Sequence, residues 1–108
     1  MKSVTDTRPA TRLDDDALEA LTGTLRALAD PTRIRLLEEL DARGPESVGG
    51  LAGSLPLTRQ AVSRQLCVLH RAGIVARRRE GMRVVYELRD WTGLWLLGQL
   101  ADSLSPAA

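Results

Sequence analysis

Apolar residues recur at helical spacing along most of this chain, and between residues 74 and 89 they change to strict alternation. The helical pattern is clearest in the segment 58–69, TRQAVSRQLCVL. There Val62, Leu66, Leu69 and Gly73 lie four, three and four residues apart, which is one apolar stripe of a helix. The opposite side carries Thr58, Arg59, Gln60, Ser63 and Arg64 in its first turns. Side chains of this kind donate to phosphates or reach base edges in a DNA major groove. Thr58 is placed to cap the helix, and Leu57 to staple against Val62. A surface helix with a solvated polar face would look the same, so the neighbouring segments have to decide between the two.

Those neighbours predict four more helices and a hairpin. A first helix begins around residues 14–16, where three acids complement the positive end of its dipole, and carries Leu18, Leu21, Leu25 and Leu28 as a narrow stripe. Gly23 inside it costs about 1 kcal/mol relative to Ala, which a close helix-helix approach would justify. A second helix follows Asp30-Pro31, with Asp30 as cap and Pro31 at the first helical position. It runs to about residue 42, with Ile34, Leu36, Leu37 and Leu40 inward and Arg33, Arg35, Glu38 and Glu39 on the wet side, and Gly44-Pro45 stops it. A short third helix starts from a Ser47 cap and carries Val48, Leu51, Ala52 and Leu55, weakened by Gly49, Gly50 and Gly53. Leu55-Pro56-Leu57 then leads into the helix at Thr58. Short helix, tight turn and polar-fronted helix is the helix-turn-helix layout.

Beyond Gly73 the segments 74–79 and 83–89 read as two strands joined at residues 80–82, where Gly81 supplies the turn. Val84, Tyr86 and Leu88 alternate with Arg83, Val85, Glu87 and Arg89. A last helix is expected from an Asp90 cap to about residue 104. Its apolar residues, from Trp91 and Leu94 to Leu100 and Leu104, cover more than one face, too much for a helix at the edge of a monomer. A second copy of the chain is the expected cover, docking on Leu18, Leu21 and Leu25 of the first helix and on Trp91, Leu94, Trp95, Leu97 and Ala101 of the last. The predicted fold is mostly α with a small β-hairpin, a winged helix-turn-helix of order α-α-α-α-β-β-α. Residues 1–12 and 105–108 are expected to be tails around one domain at 13–104.

Composition narrows the function. At 108 residues the chain suits one small domain, and with no Phe its core must rest on Leu, Val, Ile and Ala. The single cysteine cannot form an internal disulfide and no charged-then-apolar leader opens the chain, so the expected location is cytoplasmic. The most apolar stretch, 91–104, is shorter than the ~20 residues of a membrane span and is broken by Gly98 and Gln99, so no membrane partner is expected. The net charge of +1 hides a division: residues 55–90 hold eight arginines against Glu80, Glu87 and Asp90, a local charge of +5, while the remainder carries −4. Such segregation suggests one face for a polyanion. Arg77, Arg78, Arg79 and Arg83 crowd the hairpin, and like charges on paired strands repel, so an anionic partner explains them better than solubility does.

The run LADPTRIRLLEEL followed by GLAGSLPLTRQAVSRQLCVLHRAGIVARRREGMRVVYEL resembles the ArsR/SmtB-type winged helix-turn-helix regulators, and the resemblance covers residues 28–88. It implies a homodimeric bacterial repressor whose terminal helices form the dimer and whose two recognition helices enter successive major grooves of double-stranded DNA at a near-palindromic operator. Carried over by position, Thr58, Arg59, Gln60, Ser63 and Arg64 are the implied recognition-helix contacts, and Arg78, Arg79 and Arg83 the wing contacts.

The metal chemistry of many members does not carry over. Where the family places two cysteines at the start of the third helix, this chain has Ser47 and Gly49, and its last helix offers Asp90 and Asp102 without a His. In this the chain resembles the non-metal branch, which includes autorepressors with a similar Leu-Pro-Leu turn. Cys67 and His70 share one helix face at i, i+3, which two ligands cannot close into a zinc site, and they read as a small, partly buried thiol and a surface imidazole. No orienting carboxylate or phosphate-cradling Gly loop marks a catalytic or cofactor site, so neither enzyme activity nor a cofactor is expected. Two other readings stay open: a thiol- or metal-responsive regulator using Cys67 and His70, and a protein-interaction module using the apolar last helix. The residues name no effector.

Overall fold

Local capping chemistry starts and stops the helices, and the computed structural model, which describes residues 12–105, shows each device. The expected N-terminal tail, but for Arg12, and residues 106–108 lie outside the described residues. Helix α1, Asp15–Leu28, is capped by the Asp14 carboxylate, which accepts from the Ala17 N–H at 2.7 Å. After a two-residue turn, Asp30 caps α2, Pro31–Arg43, by accepting from the Arg33 N–H, and Pro31 takes the first helical position as expected. Gly44, at φ 81°, ends α2 in a conformation that L side chains rarely adopt.

A strand absent from the sequence reading follows. Strand β1, Glu46–Ser47, has only two residues and shows no alternation that could have announced it. Ser47 then caps the short helix α3, Val48–Ser54, by accepting from the Gly50 N–H. After the turn at residues 55–57, Thr58 caps α4, Arg59–Arg71, by accepting from the Ala61 N–H at 3.1 Å. Gly73 at φ 76° closes α4 with a double bond pattern: its N–H donates to the His70 carbonyl and the Ile74 N–H donates to the Leu69 carbonyl. This Schellman motif satisfies two carbonyls that the helix end would otherwise leave unpaired.

Strands β2, Val75–Glu80, and β3, Arg83–Leu88, form the hairpin, and β1 adds to the other edge of β3, so the antiparallel sheet runs β1-β3-β2. Because β3 is central, Val85 is buried together with Tyr86, whereas Val84 near the turn is exposed. The simple alternation expected for this strand therefore fails: Val85, flanked by Ser47 of β1 on one side and Arg78 of β2 on the other, is buried on the opposite face of β3 from Tyr86. Helix α5, Thr92–Leu104, begins one residue later than a direct Asp90 cap would place it. Asp90 still serves its first turn, accepting from the Thr92 N–H at 2.9 Å, and the Trp91 indole N–H ties the start of α5 to Asp41 on α2 at 2.6 Å.

The core gathers Leu28, Leu36, Leu37, Leu40, Leu51, Val62, Leu66, Leu69, Val75 and Tyr86 from every layer of the domain, with Leu94 and Leu97 of α5 packed on its rim. Leu66 is at its centre and fully buried. Replacing it by Ala is expected to cost about 2–5 kcal/mol, against about 1 kcal/mol for losing the Asp30 cap through Asp30→Ala. Denaturant unfolding checks the order; an Asp30→Ala loss as large as that of Leu66→Ala would show that the cap acts on more than its own helix.

Candidate nucleic-acid interface

Helix α4 is held entirely from one side. Val62, Leu66 and Leu69 are buried to completion against α2, α3 and the sheet, while Thr58, Arg59, Gln60, Ser63 and Arg64 are all exposed. These five candidate recognition residues do not share one face: Gln60, Ser63 and Arg64 lie away from the apolar stripe, whereas Thr58 and Arg59 stand at its N-terminal end, Arg59 three residues before Val62 and seven before Leu66. Thr58 uses one oxygen lone pair on the cap and keeps its O–H for an outside acceptor. Arg59 lies across the start of α3, where its guanidinium passes so close to Gly49 that a Cβ there would come within 2.9 Å of it.

Glycine at position 50 has a similar reason. The Glu46 carboxylate folds over Gly50 in the space a Cβ would fill, and it collects three elements. It accepts from the Ser47 N–H at 2.9 Å, pairs with Arg43 at the end of α2 at 2.9 Å, and pairs with Arg83 of the hairpin at 3.3 Å. Arg43 also donates to the Gly50 carbonyl. The weak helix propensity of α3 is therefore compensated by charged contacts that need its glycines.

A second bridge, missed in the sequence, is Arg33. Read as a solvated residue of α2, it is half-buried: its Nε donates to the Ala27 carbonyl at 2.6 Å, Nη2 to the Arg26 carbonyl at 3.2 Å, and Nη1 to Gln65 Oε1 at 2.8 Å. A guanidinium at the negative end of α1 is well placed electrostatically, and its planar fork reaches α4 at the same time. No periodicity distinguishes such a residue from Arg35, which is exposed and pairs only with Glu38.

On the hairpin, Arg77, Arg78, Arg79 and Arg83 are all exposed. Arg78 is clasped by Glu80 and Glu87, at 2.9 and 3.0 Å, and their hydrogen bonds raise its already high pKa. The candidate dimer residues divide as well. Leu18, Leu21, Leu25, Trp91, Trp95 and Ala101 are exposed, Trp95 by 64%, whereas Leu94 and Leu97 are half-buried against the protein's own core. The expected close approach at Gly23 does not occur among the described residues of one chain, where nothing from outside its own helix backbone comes within 4 Å of a Cβ built there. Cys67 is exposed rather than partly buried, because it follows Leu66 by one residue and is turned about 100° from the apolar stripe. Among the described residues no group of three or more His, Cys, Asp or Glu side chains converges, and no helix is long and apolar enough to cross a membrane.

Residues 28–78 match the family model of a helix-turn-helix domain. The chain is 41% identical over 83 residues to the transcriptional regulator NmtR of Mycobacterium tuberculosis, covering 77% of this chain and 68% of that protein. It is 37% identical over 89 residues to a transcriptional repressor SmtB homologue of Synechocystis, covering 82% and 67%. The chain belongs to the ArsR/SmtB-type regulators. The matched stretches span about two thirds of these relatives' own length. This regulator also superimposes on the solution structure of a homodimeric winged helix-turn-helix DNA-binding domain from Mycobacterium bovis, described as a possible ArsR-family regulator, with a TM-score of 0.76 and 27% identity over 91% of this chain and 94% of that one. As a member of a family of helix-turn-helix transcriptional regulators, the ArsR/SmtB-type chain is not an enzyme.

One titration follows from the Glu46 cluster. The Ser47 N–H, and after it Arg43 and Arg83, hold the Glu46 carboxyl below the ordinary carboxylate range, against an opposing pull from its partial burial. A carboxyl with a lowered folded pKa contributes stability that is present above its unfolded pKa and lost as pH falls through the folded one. The stability gap between wild type and Glu46→Gln is therefore expected to be full above about pH 5 and to close in stronger acid. Denaturant midpoints measured from pH 7 downward test this; a gap that does not change with pH would mean the carboxylate charge contributes nothing.

Proposed function

We propose that this ArsR/SmtB-type chain is a homodimeric, sequence-specific DNA-binding repressor of transcription that acts in the cytoplasm on a near-palindromic operator. The observation that carries the proposal is the division of α4, with Val62, Leu66 and Leu69 buried on one stripe, Gln60, Ser63 and Arg64 exposed away from it, and Thr58 and Arg59 exposed at its N-terminal end. In a major groove, Arg59 and Arg64 have the geometry to read guanine edges and Gln60 to read adenine, while Thr58 and Ser63 donate to phosphates or bases. The adjacent basic hairpin adds charge along the backbone as a wing.

Dimerisation is supported by the apolar surface left open on two helices. Leu18, Leu21 and Leu25 of α1 and Trp91, Trp95, Leu100 and Leu104 of α5 are exposed large apolar side chains on helices at either end of the described chain. A second copy covers them most simply, since a two-fold axis uses each contact twice. It also sets the two α4 helices about one turn of DNA apart, ~34 Å, which one copy cannot do. The M. bovis neighbour is a homodimer and the Synechocystis relative is a repressor, in keeping with this reading. The residues at the metal positions of the family, Ser47 and Gly49, supply no thiolate; Ser47 caps α3 and Gly49 accommodates Arg59.

Sedimentation tests the assembly. Wild type is expected to be a dimer at micromolar concentration. Each of Leu21 and Trp95 contributes roughly 1.5–3 kcal/mol when covered, twice per dimer, so Leu21→Glu with Trp95→Glu is expected to give a folded monomer that has lost tight DNA binding. Both sites are exposed, so the substitutions leave the core of the subunit intact. A wild type that is monomeric yet binds a single half-site tightly would contradict the proposal.

A further inference from the structure

The hairpin sorts its arginines by face. Successive residues of a strand point to opposite sides, so the register places Arg77 and Arg79 with Val75, Tyr86, Val84 and, on β1, Glu46, and places Arg78 and Arg83 with Glu80, Glu87 and the buried Val85. The first of these faces is the one that packs on the helices, because Val75 and Tyr86 share a single core with Val62, Leu66 and Leu69 of α4. On the second face every arginine is already answered. Arg78 donates to Glu80 and Glu87 at once, and Arg83 donates to Glu46, which Arg43 and the Ser47 N–H hold in place. Among the described residues Arg77 and Arg79 make no side-chain hydrogen bond or ion pair, and both are exposed.

We infer that Arg77 and Arg79, rather than Arg78 and Arg83, are the wing's phosphate-binding residues, and that Glu46 is a positioning residue that keeps Arg83 engaged within the protein. The inference rests on the DNA-binding reading above and assigns its charges. A duplex that drew on Arg78 and Arg83 would meet charges already matched, Arg78 by Glu80 and Glu87 and Arg83 by Glu46, and would have to strip those acids away and leave them facing its phosphates. On the face shared with α4 the two guanidiniums are uncompensated, because Glu46, the acid registered on that face, is already paired with Arg43 and Arg83, so the local field draws the duplex there. The implied wing contacts are thereby redistributed: Arg79 stays, Arg77 joins it, and Arg78 and Arg83 become elements of the wing's own architecture.

The test is the salt dependence of binding to a mixed-sequence duplex of about three helical turns, long enough for both subunits. Each phosphate contact contributes about 0.9 to the slope of log K against log salt, so removing two per subunit through Arg77→Ala with Arg79→Ala is expected to flatten the dimer's slope by about 3.6. Lysine at both positions is expected to restore it, because the contact is one of charge. Arg78→Ala with Arg83→Ala is expected to leave the slope within about one unit of wild type. Glu46→Gln releases Arg83 and is expected to steepen the slope, and adding Arg83→Ala to it is expected to bring the slope back. Thermal unfolding of each variant separates loss of contact from loss of fold. Equal flattening by the two arginine pairs, or flattening by Arg78→Ala with Arg83→Ala alone, overturns the assignment while leaving the DNA-binding reading intact. A wild type whose binding to the duplex is absent or insensitive to salt overturns both.

Discussion

Everything that this domain offers to a partner depends on helix α4 being buried along one stripe and nowhere else. Val62, Leu66 and Leu69 lose all contact with solvent, and the residues between them lose none of theirs that matters for binding. Covering a helix so completely on one side requires its ends to be satisfied locally, since no second layer lies over them. Thr58 does this at the start and the Gly73 turn at the end. The exposed row is then rigid without being covered, which is the condition a reading surface has to meet.

Two arginines engaged within the protein, the half-buried Arg33 and the exposed Arg43, turn this local arrangement into a coupled one. Arg33 joins the last carbonyls of α1 to Gln65 on α4, so the helix proposed to make the dimer and the helix proposed to read DNA share a single guanidinium. Arg43, through Glu46, joins the end of α2 to the start of α3 and to the hairpin. In the proposed dimer, hydrogen bonds inside each subunit therefore help to set the spacing between the two α4 helices. A charge of +1 for the whole chain conceals how strictly the basic groups are divided between holding the fold and meeting a polyanion.

Most helix caps and the turn glycines were legible in the sequence because each acts within four residues: Asp30, Ser47 and Thr58 cap as their positions require, and Gly44, Gly73 and Gly81 take positive φ, whereas Asp14 was read only as one of three acids and α5 starts one residue after the position an Asp90 cap requires. The outward row of α4 was legible for the same reason, being the complement of an apolar stripe. What the sequence did not disclose depends on partners far along the chain. Strand β1 is too short for a pattern and exists only because β3 lies beside it, which also buries Val85 against expectation. Arg33 looks like any solvated residue of α2 until Gln65, 32 residues away, is brought to it. Leu94 and Leu97 carry the same side chain as their exposed neighbour Leu100, and only the docking of α5 on α2 turns them inward. The roles of Gly49 and Gly50 likewise need the side chains of Arg59 and Glu46 in place above them.

The central claim, that the outer face of α4 reads double-stranded DNA from a two-fold dimer, is tested most directly by selecting bound sequences from a pool of random duplexes and sequencing them. An inverted repeat whose half-sites are centred about 10–10.5 base pairs apart is expected to be enriched, with the sequence preference at the half-site centres lost when Arg59, Gln60 and Arg64 are replaced by Ala. A pool that emerges without a shared motif, or with a motif that the triple replacement leaves unchanged, would contradict it.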